Sequence, residues 1–276
     1  MHGSQSGTRD RVKAPDASVR MPRLTSTRIH DERAVAEECP VALVYDGTTI
    51  AVLMASPADL ADLAIGFSLT EGIVLDSGEI EELNVVAGAD GIELRMWLRA
   101  DSGRRLKERQ RRLVGPTGCG LCGIESLQEA RRTTTPVTRE IFLTPGQIAT
   151  AVDTLATSQS LNRETRATHA AGFFVPGAEN MIVREDVGRH NALDKLAGAL
   201  AAANVSGHRG AVVLTSRISV EMVQKAVGLG AGIIIAISAP TALAIRTAEA
   251  SGITLVGIAR GREFEIFSHP AGIALY

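Results

Sequence analysis

The sequence predicts an α/β (α+β) protein whose second half holds a parallel or mixed sheet with flanking helices. Two observations favour this fold class. Short apolar runs alternate with helical patterns between residues 172 and 258, which is the order that builds such sheets. The run 233–237 is continuously apolar, as expected of a strand that is buried on both faces. The chain has 276 residues, enough for one large or two modest domains.

The first half predicts a smaller α+β domain. Residues 40–54 are typical of a β-hairpin that turns at Asp46-Gly47. The segment Ser56-Pro57-Ala58-Asp59 predicts a helix start in which Ser56 is the cap and Asp59 resembles a capping-box acid. Residues 92–98 alternate between apolar and polar side chains, which indicates a strand.

The second half predicts a helix that begins at Thr144-Pro145-Gly146-Gln147 by the same capping logic. The strands expected after it are 172–175, 181–183, 211–215, 233–238 and 253–258, and the helices are 191–203, 220–229 and 240–250. We therefore divide the chain into a disordered leader (1–25), an N-terminal domain that ends in a Cys-x-x-Cys loop (26–135) and a C-terminal domain (136–276). The boundary is placed near Thr133–Pro136.

Charge and hydropathy exclude several classes of protein. The 29 basic and 31 acidic side chains provide no overall field for nucleic acid. The longest uncharged stretch, 226–245, contains three glycines and Pro240, so we interpret it as a helix end, a strand and a new helix rather than a membrane span. The polar start of the chain lacks an apolar signal segment, which predicts a cytoplasmic location.

Glycines surround and separate two of the three cysteines, Cys119 and Cys122, in the segment 117–123. Three cysteines are too few for a disulfide scaffold. Zinc binding lacks a second cysteine pair, and Cys39 is poorly spaced to contribute. A thioredoxin-like pair is expected at a helix start, and a purely structural role is a third option. Nucleophilic sulfur chemistry, with one thiol carrying a group and the other assisting, fits an accessible loop that follows the basic run 104–112. That run is itself typical of a solvated helix face or a docking site for an acidic partner.

Polar groups accumulate at the predicted carboxyl ends of the strands, where such sheets bind ligands. The ends at 215–217 and 259–262 carry arginine, which favours an anionic ligand. The dense segment 185–195 has two interpretations. It either caps a helix through Asp186 or Asn191, with Arg189 and Asp194 as a solvated pair, or binds a ligand at a helix N-terminus. His169 beside an apolar strand is more typical of the core than of a ligand site.

Five motifs are recognisable in order along the chain. They are GCGLCG at 118–123, THAA at 168–171, EDVGRHNALDK at 185–195, SRISVEMVQK at 216–225 and SAPT at 238–241. Together they closely resemble the FdhD family, the formate dehydrogenase accessory sulfurtransferases. The resemblance extends from about Pro40 to His269.

The resemblance implies a sulfur carrier. In that family a cysteine desulfurase passes sulfur to the Cys-x-x-Cys loop as a persulfide. The sulfur then moves to the molybdenum (or tungsten) bis-guanine-dinucleotide cofactor before that cofactor enters formate dehydrogenase. Carried over by motif, Cys119 bears the persulfide and Cys122 assists. The resemblance also implies a homodimer and a cytidine-deaminase-like fold for the second half.

The cofactor-binding segment of the family matches six consecutive residues here: Ile258, Ala259, Arg260, Gly261, Arg262 and Glu263. Arginine forks suit the diphosphates of such a cargo, so Arg217 is expected to contact it together with the two arginines of that segment. Arg189 and His190 are expected behind them, and His169 completes the set. The expected partners are the desulfurase, the catalytic subunit of formate dehydrogenase and the cofactor, with no resident metal, nucleic acid or membrane.

Two alternatives to a sulfur carrier remain open, and a third is not expected. A zinc nucleobase deaminase needs His-x-Glu and a later Pro-Cys-x-x-Cys, but His169 is followed by Ala170-Ala171 and the cysteine pair precedes it, so that activity is not expected. A non-covalent cofactor-binding chaperone would need the arginines but not the thiols. A dithiol redox protein would need a reversible Cys119–Cys122 disulfide.

Overall fold

The structure, a computed structural model, describes residues 13–27, 30–99, 102–103, 105–106 and 136–275. Its strands are β1 (Ser18–Leu24), β2 (His30–Ala36), β3 (Cys39–Tyr45), β4 (Thr48–Ala55), β5 (Ile80–Gly88), β6 (Gly91–Leu98), β7 (His169–Phe174), β8 (Ile182–Asp186), β9 (Ala211–Leu214), β10 (Ile233–Ala236), β11 (Thr254–Arg260) and β12 (Glu263–Ser268). Its helices are α1 (Leu60–Thr70), α2 (Pro145–Ser158), α3 (Ser160–Thr165), α4 (Arg189–Ala202), α5 (Val220–Gly228) and α6 (Ala242–Ala250). The predicted mixed α+β fold is confirmed.

The first half contains a four-stranded sheet in the order β4-β3-β6-β5. The predicted hairpin of β3 and β4 is confirmed. Asp46 (φ 48°) and Gly47 (φ 80°) are both left-handed, as a two-residue turn between twisted strands requires. Helix α1 covers one face of this sheet. The fully buried side chains between them include Val41, Leu43, Tyr45, Leu63, Ala64, Leu94 and Met96.

The predicted cap of α1 is wrong. The helix begins at Leu60 after Asp59, whose backbone is left-handed (φ 51°) and whose side chain makes no capping hydrogen bond. Ser56 is fully buried instead, and its backbone N–H donates to Asp186 at 3.1 Å. Its hydroxyl accepts from the Val187 N–H at 3.1 Å. The local sequence pattern assigned Ser56 to the cap of α1. Its N–H and hydroxyl groups instead form hydrogen bonds with the second half of the chain.

The predicted leader is also partly wrong. Ser18–Leu24 forms β1, which pairs with β2 along its whole length in an antiparallel ribbon. Pairing with β2 provides hydrogen-bond partners for the backbone of β1, whose own sequence shows no strand pattern. Within the predicted basic run, Leu106 is buried in the core between α1 and the four-stranded sheet, and Arg105 pairs with Glu79. These two residues therefore do not belong to a solvated helix face. The other residues of that run, 104 and 107–112, lie outside the described residues.

The second half contains a six-stranded mixed sheet in the order β12-β11-β10-β9-β7-β8. Strands β9, β10 and β11 are parallel, and β7 is antiparallel to both β8 and β9, so β8 runs parallel to β9. Helix α2 covers one face, and α4, α5 and α6 cover the other. Because α4 follows β8 and α5 follows β9, both helices begin at the carboxyl edge of the sheet and run parallel to each other.

Helix boundaries in this half follow local capping chemistry. Thr144 and Gln147 form the predicted capping box of α2. Helix α6 begins at Ala242 rather than at Pro240, because Thr241 is its cap and accepts from the Ala244 N–H at 3.2 Å. No helix in the described part of the chain is long and apolar enough to cross a membrane.

The two halves meet where α1 crosses α4 in direct backbone contact. A Cβ atom on Gly66 would lie 1.7 Å from the Asp194 carbonyl oxygen, and one on Gly198 would lie 2.0 Å from the Asp62 carbonyl oxygen. Only glycine allows this approach. The predicted domains therefore share a tight helix–helix interface. Their predicted boundary near residue 135 adjoins a segment that lies outside the described residues.

We expect Gly198→Ala to lower the free energy of unfolding by about 3 kcal/mol, because the added methyl group forces the two helices apart. Gly146→Ala is the matched control, since a Cβ there meets nothing nearer than 3.9 Å in helix α2. That control is expected to be neutral or to stabilise by up to about 1 kcal/mol. Urea unfolding measures both, and a loss below about 1 kcal/mol for Gly198→Ala would contradict the close crossing.

Candidate functional site

The carboxyl edge of the six-stranded sheet brings together most of the predicted site residues. Arg189 and His190 begin α4 after β8, and Arg217 follows β9. His169 begins β7 directly opposite Asp186, so it lies at the same edge. The loops after β9 and β10 are joined by a bridge between Ile218 and Pro240. Cys119 and Cys122 lie outside the described residues.

The segment expected to bind the cofactor, 258–263, forms the end of β11 and its turn into β12. Ile258 is left-handed (φ 54°) at an irregularity in the pairing of these strands, and its N–H donates to the Ser238 carbonyl at 3.2 Å. Ala259 is buried, whereas Arg260, Gly261, Arg262 and Glu263 are exposed. Arg217 is also exposed, so three guanidinium groups are available at strand ends along this edge.

A buried ion pair supports the turn into α4. Lys195 Nζ lies 2.6 Å from Asp186, and both side chains are fully buried. Lys195 also donates to the carbonyl oxygens of Ser56 (3.0 Å) and Glu185 (3.4 Å). Asp186 accepts from the N–H groups of Ser56 and Gly188 and from the Asn191 amide. The pair therefore holds the backbone of Ser56 in the first half and that of Glu185 and Gly188 just before α4.

A second buried network joins three helices. Lys225 of α5 lies 2.7 Å from Asp194 of α4 and 2.9 Å from Glu71 just after α1. Thr70 donates to Asp194 at 2.6 Å. Burial opposes the charge of Lys225, but the two neighbouring carboxylates raise its pKa, so it remains protonated. This network aligns α4 and α5 at a fixed register.

These networks correct two sequence interpretations of the segment 185–195. Neither Asp186 nor Asn191 caps α4, because the cap residue is Gly188 and it makes no side-chain cap. Asp194 does not form a solvated pair with Arg189, since it is buried against Lys225. Ser56 is a residue that sequence reasoning missed, and its local Ser-Pro pattern carries no signal of the contact with Asp186.

The two histidines of the edge are held neutral. Burial, together with the positive charges of Lys225 and Arg189, lowers the pKa of His190 to about 3. Burial and Arg189 also lower the pKa of His169. Two buried atoms here, Arg189 Nε and His190 Nε2, have no hydrogen-bond partner in the structure. The edge therefore offers neutral imidazoles and unused donors beside exposed arginines, a set that fits a polar ligand with anionic groups.

No group of three or more His, Cys, Asp or Glu side chains suited to a metal ion occurs among the residues the structure covers.

We expect Lys195→Met to lower the free energy of unfolding by about 3–5 kcal/mol, because Asp186 would keep a buried charge without its partner. Lys13→Met is the control, since Lys13 forms an exposed pair with Asp16 and its loss should have little effect. Urea unfolding distinguishes the two, and equal effects would contradict the supporting role of the buried pair.

The low pKa of His190 predicts acid sensitivity. The unfolded chain binds a proton at this side chain below the ordinary pKa of 6.5, whereas the folded chain does so only near 3. Stability is therefore lost as the pH falls between these values, by at most about 1.4 kcal/mol per pH unit. We expect unfolding free energies measured from about pH 7 to about pH 4 to fall more steeply for the wild type than for His190→Gln. Parallel curves would contradict a buried neutral His190.

The chain is similar to known proteins over almost its full length. The profile of the FdhD/NarQ family matches residues 36–274. A protein of Agrobacterium fabrum named Sulfur carrier protein FdhD is 53% identical over 269 residues, which cover 96% of this chain and 99% of that protein. Proteins of the same name from Brucella abortus and Cupriavidus necator are 54% and 48% identical over 86% of this chain, and the matches cover 88% and 82% of those proteins.

The fold is also found in a solved structure. A crystal structure from Desulfotalea psychrophila, described as a formate dehydrogenase accessory protein, superposes with a TM-score of 0.74 at 24% identity. The match covers 94% of this chain and 100% of that one, and at this identity it shows a shared fold. The family match and the closely similar relatives together show that the chain belongs to the FdhD/NarQ family.

Proposed function

We propose that this protein is a sulfur carrier, a sulfurtransferase that accepts sulfur from a cysteine desulfurase as a persulfide on Cys119. It transfers that sulfur to the molybdenum bis-guanine-dinucleotide cofactor that formate dehydrogenase requires. The observation that carries the proposal is the match, across 96% of the chain, to a relative named as a sulfur carrier. In this proposal the protein is a cytoplasmic homodimer, and its partners are the desulfurase and the catalytic subunit of formate dehydrogenase.

The loading step is a thiol exchange. The Cys119 thiolate attacks the terminal sulfur of the desulfurase persulfide, the sulfur–sulfur bond of that persulfide breaks, and the desulfurase cysteine leaves as a thiolate. No external oxidant or reductant is consumed. Cys122 supplies the second thiol, and glycine, the residue type that restricts the backbone least, surrounds and separates the two cysteines in the sequence. The roles of Cys119 and Cys122 are carried over from the Cys-x-x-Cys motif of the family.

The carboxyl edge supports the cofactor part of the proposal. Diphosphate groups are bound well by arginine forks. Arg217 is exposed after β9, and Arg260 and Arg262 are exposed at the end of β11 and in its turn into β12. The unpartnered atoms of Arg189 and His190 lie at the start of α4 on the same edge. In this proposal these side chains hold the cofactor as cargo while sulfur is delivered from Cys119.

A non-covalent chaperone is the second candidate. The same edge favours it, because the arginines and unpartnered polar groups described there could hold a cofactor without any thiol. The two candidates differ in one respect, which is whether sulfur is carried covalently.

We expect the wild type, after incubation with a cysteine desulfurase and cysteine, to gain one sulfur atom on Cys119 by mass spectrometry. Cys119→Ala should gain none and should leave formate dehydrogenase inactive. Cys39→Ala is the matched control. Cys39 is buried, its thiol contacts the Ala55 carbonyl, and burial raises its pKa, so it should not act as a nucleophile.

Full maturation of formate dehydrogenase by Cys119→Ala would contradict the covalent role and favour the chaperone. In that case Arg260→Ala and Arg262→Ala should be the variants that lose maturation.

A further inference from the structure

One residue of the hairpin formed by β11 and β12 has a backbone conformation that its side chain disfavours. Ile258 is left-handed, with φ 54°, although β-branched residues rarely adopt this region. It belongs to a β-bulge, because Ile258 and Ala259 of β11 together lie opposite Phe264 alone in β12. Backbone strain of this kind persists only where the surrounding structure imposes it, and it is concentrated at functional sites.

The bulge reverses the alternation of side chains along β11. Leu255 packs on the face of the sheet that α4, α5 and α6 cover, and Val256 packs on the face that α2 covers. In an uninterrupted strand, Ala259 would share the face of Leu255, because successive side chains alternate between the faces. Ala259 is instead buried in the same core as Val256. The side chains therefore change faces at Ile258.

This reversal determines the face on which Arg260 lies. Arg260 pairs directly with Glu263, and cross-strand partners share one face of a sheet. Glu263 is followed by Phe264, which packs in the core beneath α2, so Arg260 and Glu263 lie on the face of α4, α5 and α6. Without the bulge, Arg260 would lie on the α2 face together with Val256.

Backbone hydrogen bonds join the bulge to the loop that carries Arg217. The Ile258 N–H donates to the Ser238 carbonyl at 3.2 Å. The next carbonyl, that of Ala239, accepts from the Ile218 N–H at 3.2 Å. Ile218 follows Arg217 directly and packs in the core beneath α4, α5 and α6. The end of β9 and the bulge of β11 are thereby connected through one loop on the same face of the sheet.

We propose that Ile258 is a positioning residue of the cargo site, an inference that rests on the proposed function. Its left-handed bulge turns Arg260 to the face on which the loop of Arg217 leads into α5, so that both guanidinium groups bind the diphosphate. Ile258 and Ala259 then serve the site without touching the cargo, although the matched segment of the family includes them. A role in stability alone would not depend on the phosphates of the ligand.

The test compares the calorimetric binding of GDP and GMP to the full chain. GDP carries the guanine and diphosphate groups of the proposed cargo, and GMP lacks the second phosphate. The wild type should bind GDP about tenfold more tightly than GMP, and Arg260→Ala should lose most of this preference. Ile258→Pro should lose it too, because proline fixes φ at about −65°. Ile258→Gly should keep it, because glycine adopts the left-handed conformation without strain.

A positioning role also predicts coupling between the two residues. Adding Arg260→Ala to Ile258→Pro should not lower the ratio of the two affinities further. Arg209→Ala is the matched control, because Arg209 is exposed directly before β9 at the opposite edge of the sheet and should keep the preference. An unchanged GMP affinity shows that Ile258→Pro is folded. If it does not fold, Arg260→Ala and Ile258→Gly still test the predicted face and the left-handed backbone.

No binding of GDP, equal affinities of the wild type for GDP and GMP, a preference that survives Ile258→Pro or Arg260→Ala, or a preference lost in Ile258→Gly would overturn the inference. The persulfide assay on Cys119 uses no nucleotide. A failure of the positioning role and a failure of sulfur transfer are therefore observed separately.

Discussion

The buried ion pair between Asp186 and Lys195 is the interaction on which the rest of the site depends. Two opposite charges removed from water are stable only when they are paired and their remaining hydrogen-bonding groups are satisfied. Here those groups are satisfied by backbone of the first half, at Ser56, and by backbone at Glu185 and Gly188. The pair therefore fixes the start of α4 and attaches the two halves of the chain to each other.

The close crossing of α1 and α4 and the charge network around Lys225 fix the positions of whole helices. Gly66 and Gly198 bring the backbones of α1 and α4 into contact, and Lys225 joins α5 to both helices. Three helices are thereby held in one arrangement beneath the carboxyl edge. Such rigidity holds the start of α4, where Arg189 Nε and His190 Nε2 have no partner in the structure, in a fixed place, which suits a preorganised ligand site.

Sequence reasoning succeeded where local chemistry decides the structure. The turn at Asp46-Gly47 needs two left-handed residues, and the cap of α2 needs Thr144 and Gln147, and both are confirmed. It failed where a distant group competes for the same atoms. Ser56 has the local pattern of a cap, but Asp186 and Val187 use its N–H and hydroxyl. The strand β1 depends on its pairing with β2, which no pattern within residues 18–24 reveals.

The segment 185–195 shows the same limit for the candidate site. Its many polar residues predicted a role in helix capping or ligand binding, but not which residue has which role. Asp186, Asp194 and Lys195 are buried structural charges, whereas Arg189 and His190 keep unpartnered atoms at the edge. Which residues are structural depends on which side chains face the first half of the chain, and this is set by tertiary packing.

The central claim is that the carboxyl edge at the starts of α4 and α5 binds the cargo. Amide hydrogen exchange of the full chain with and without GDP tests it most directly. The account predicts added protection at the amides of residues 187–192 and 215–224. Protection confined to other surfaces, such as the acidic cavity lined by Asp16, Glu164 and Glu185, would contradict it.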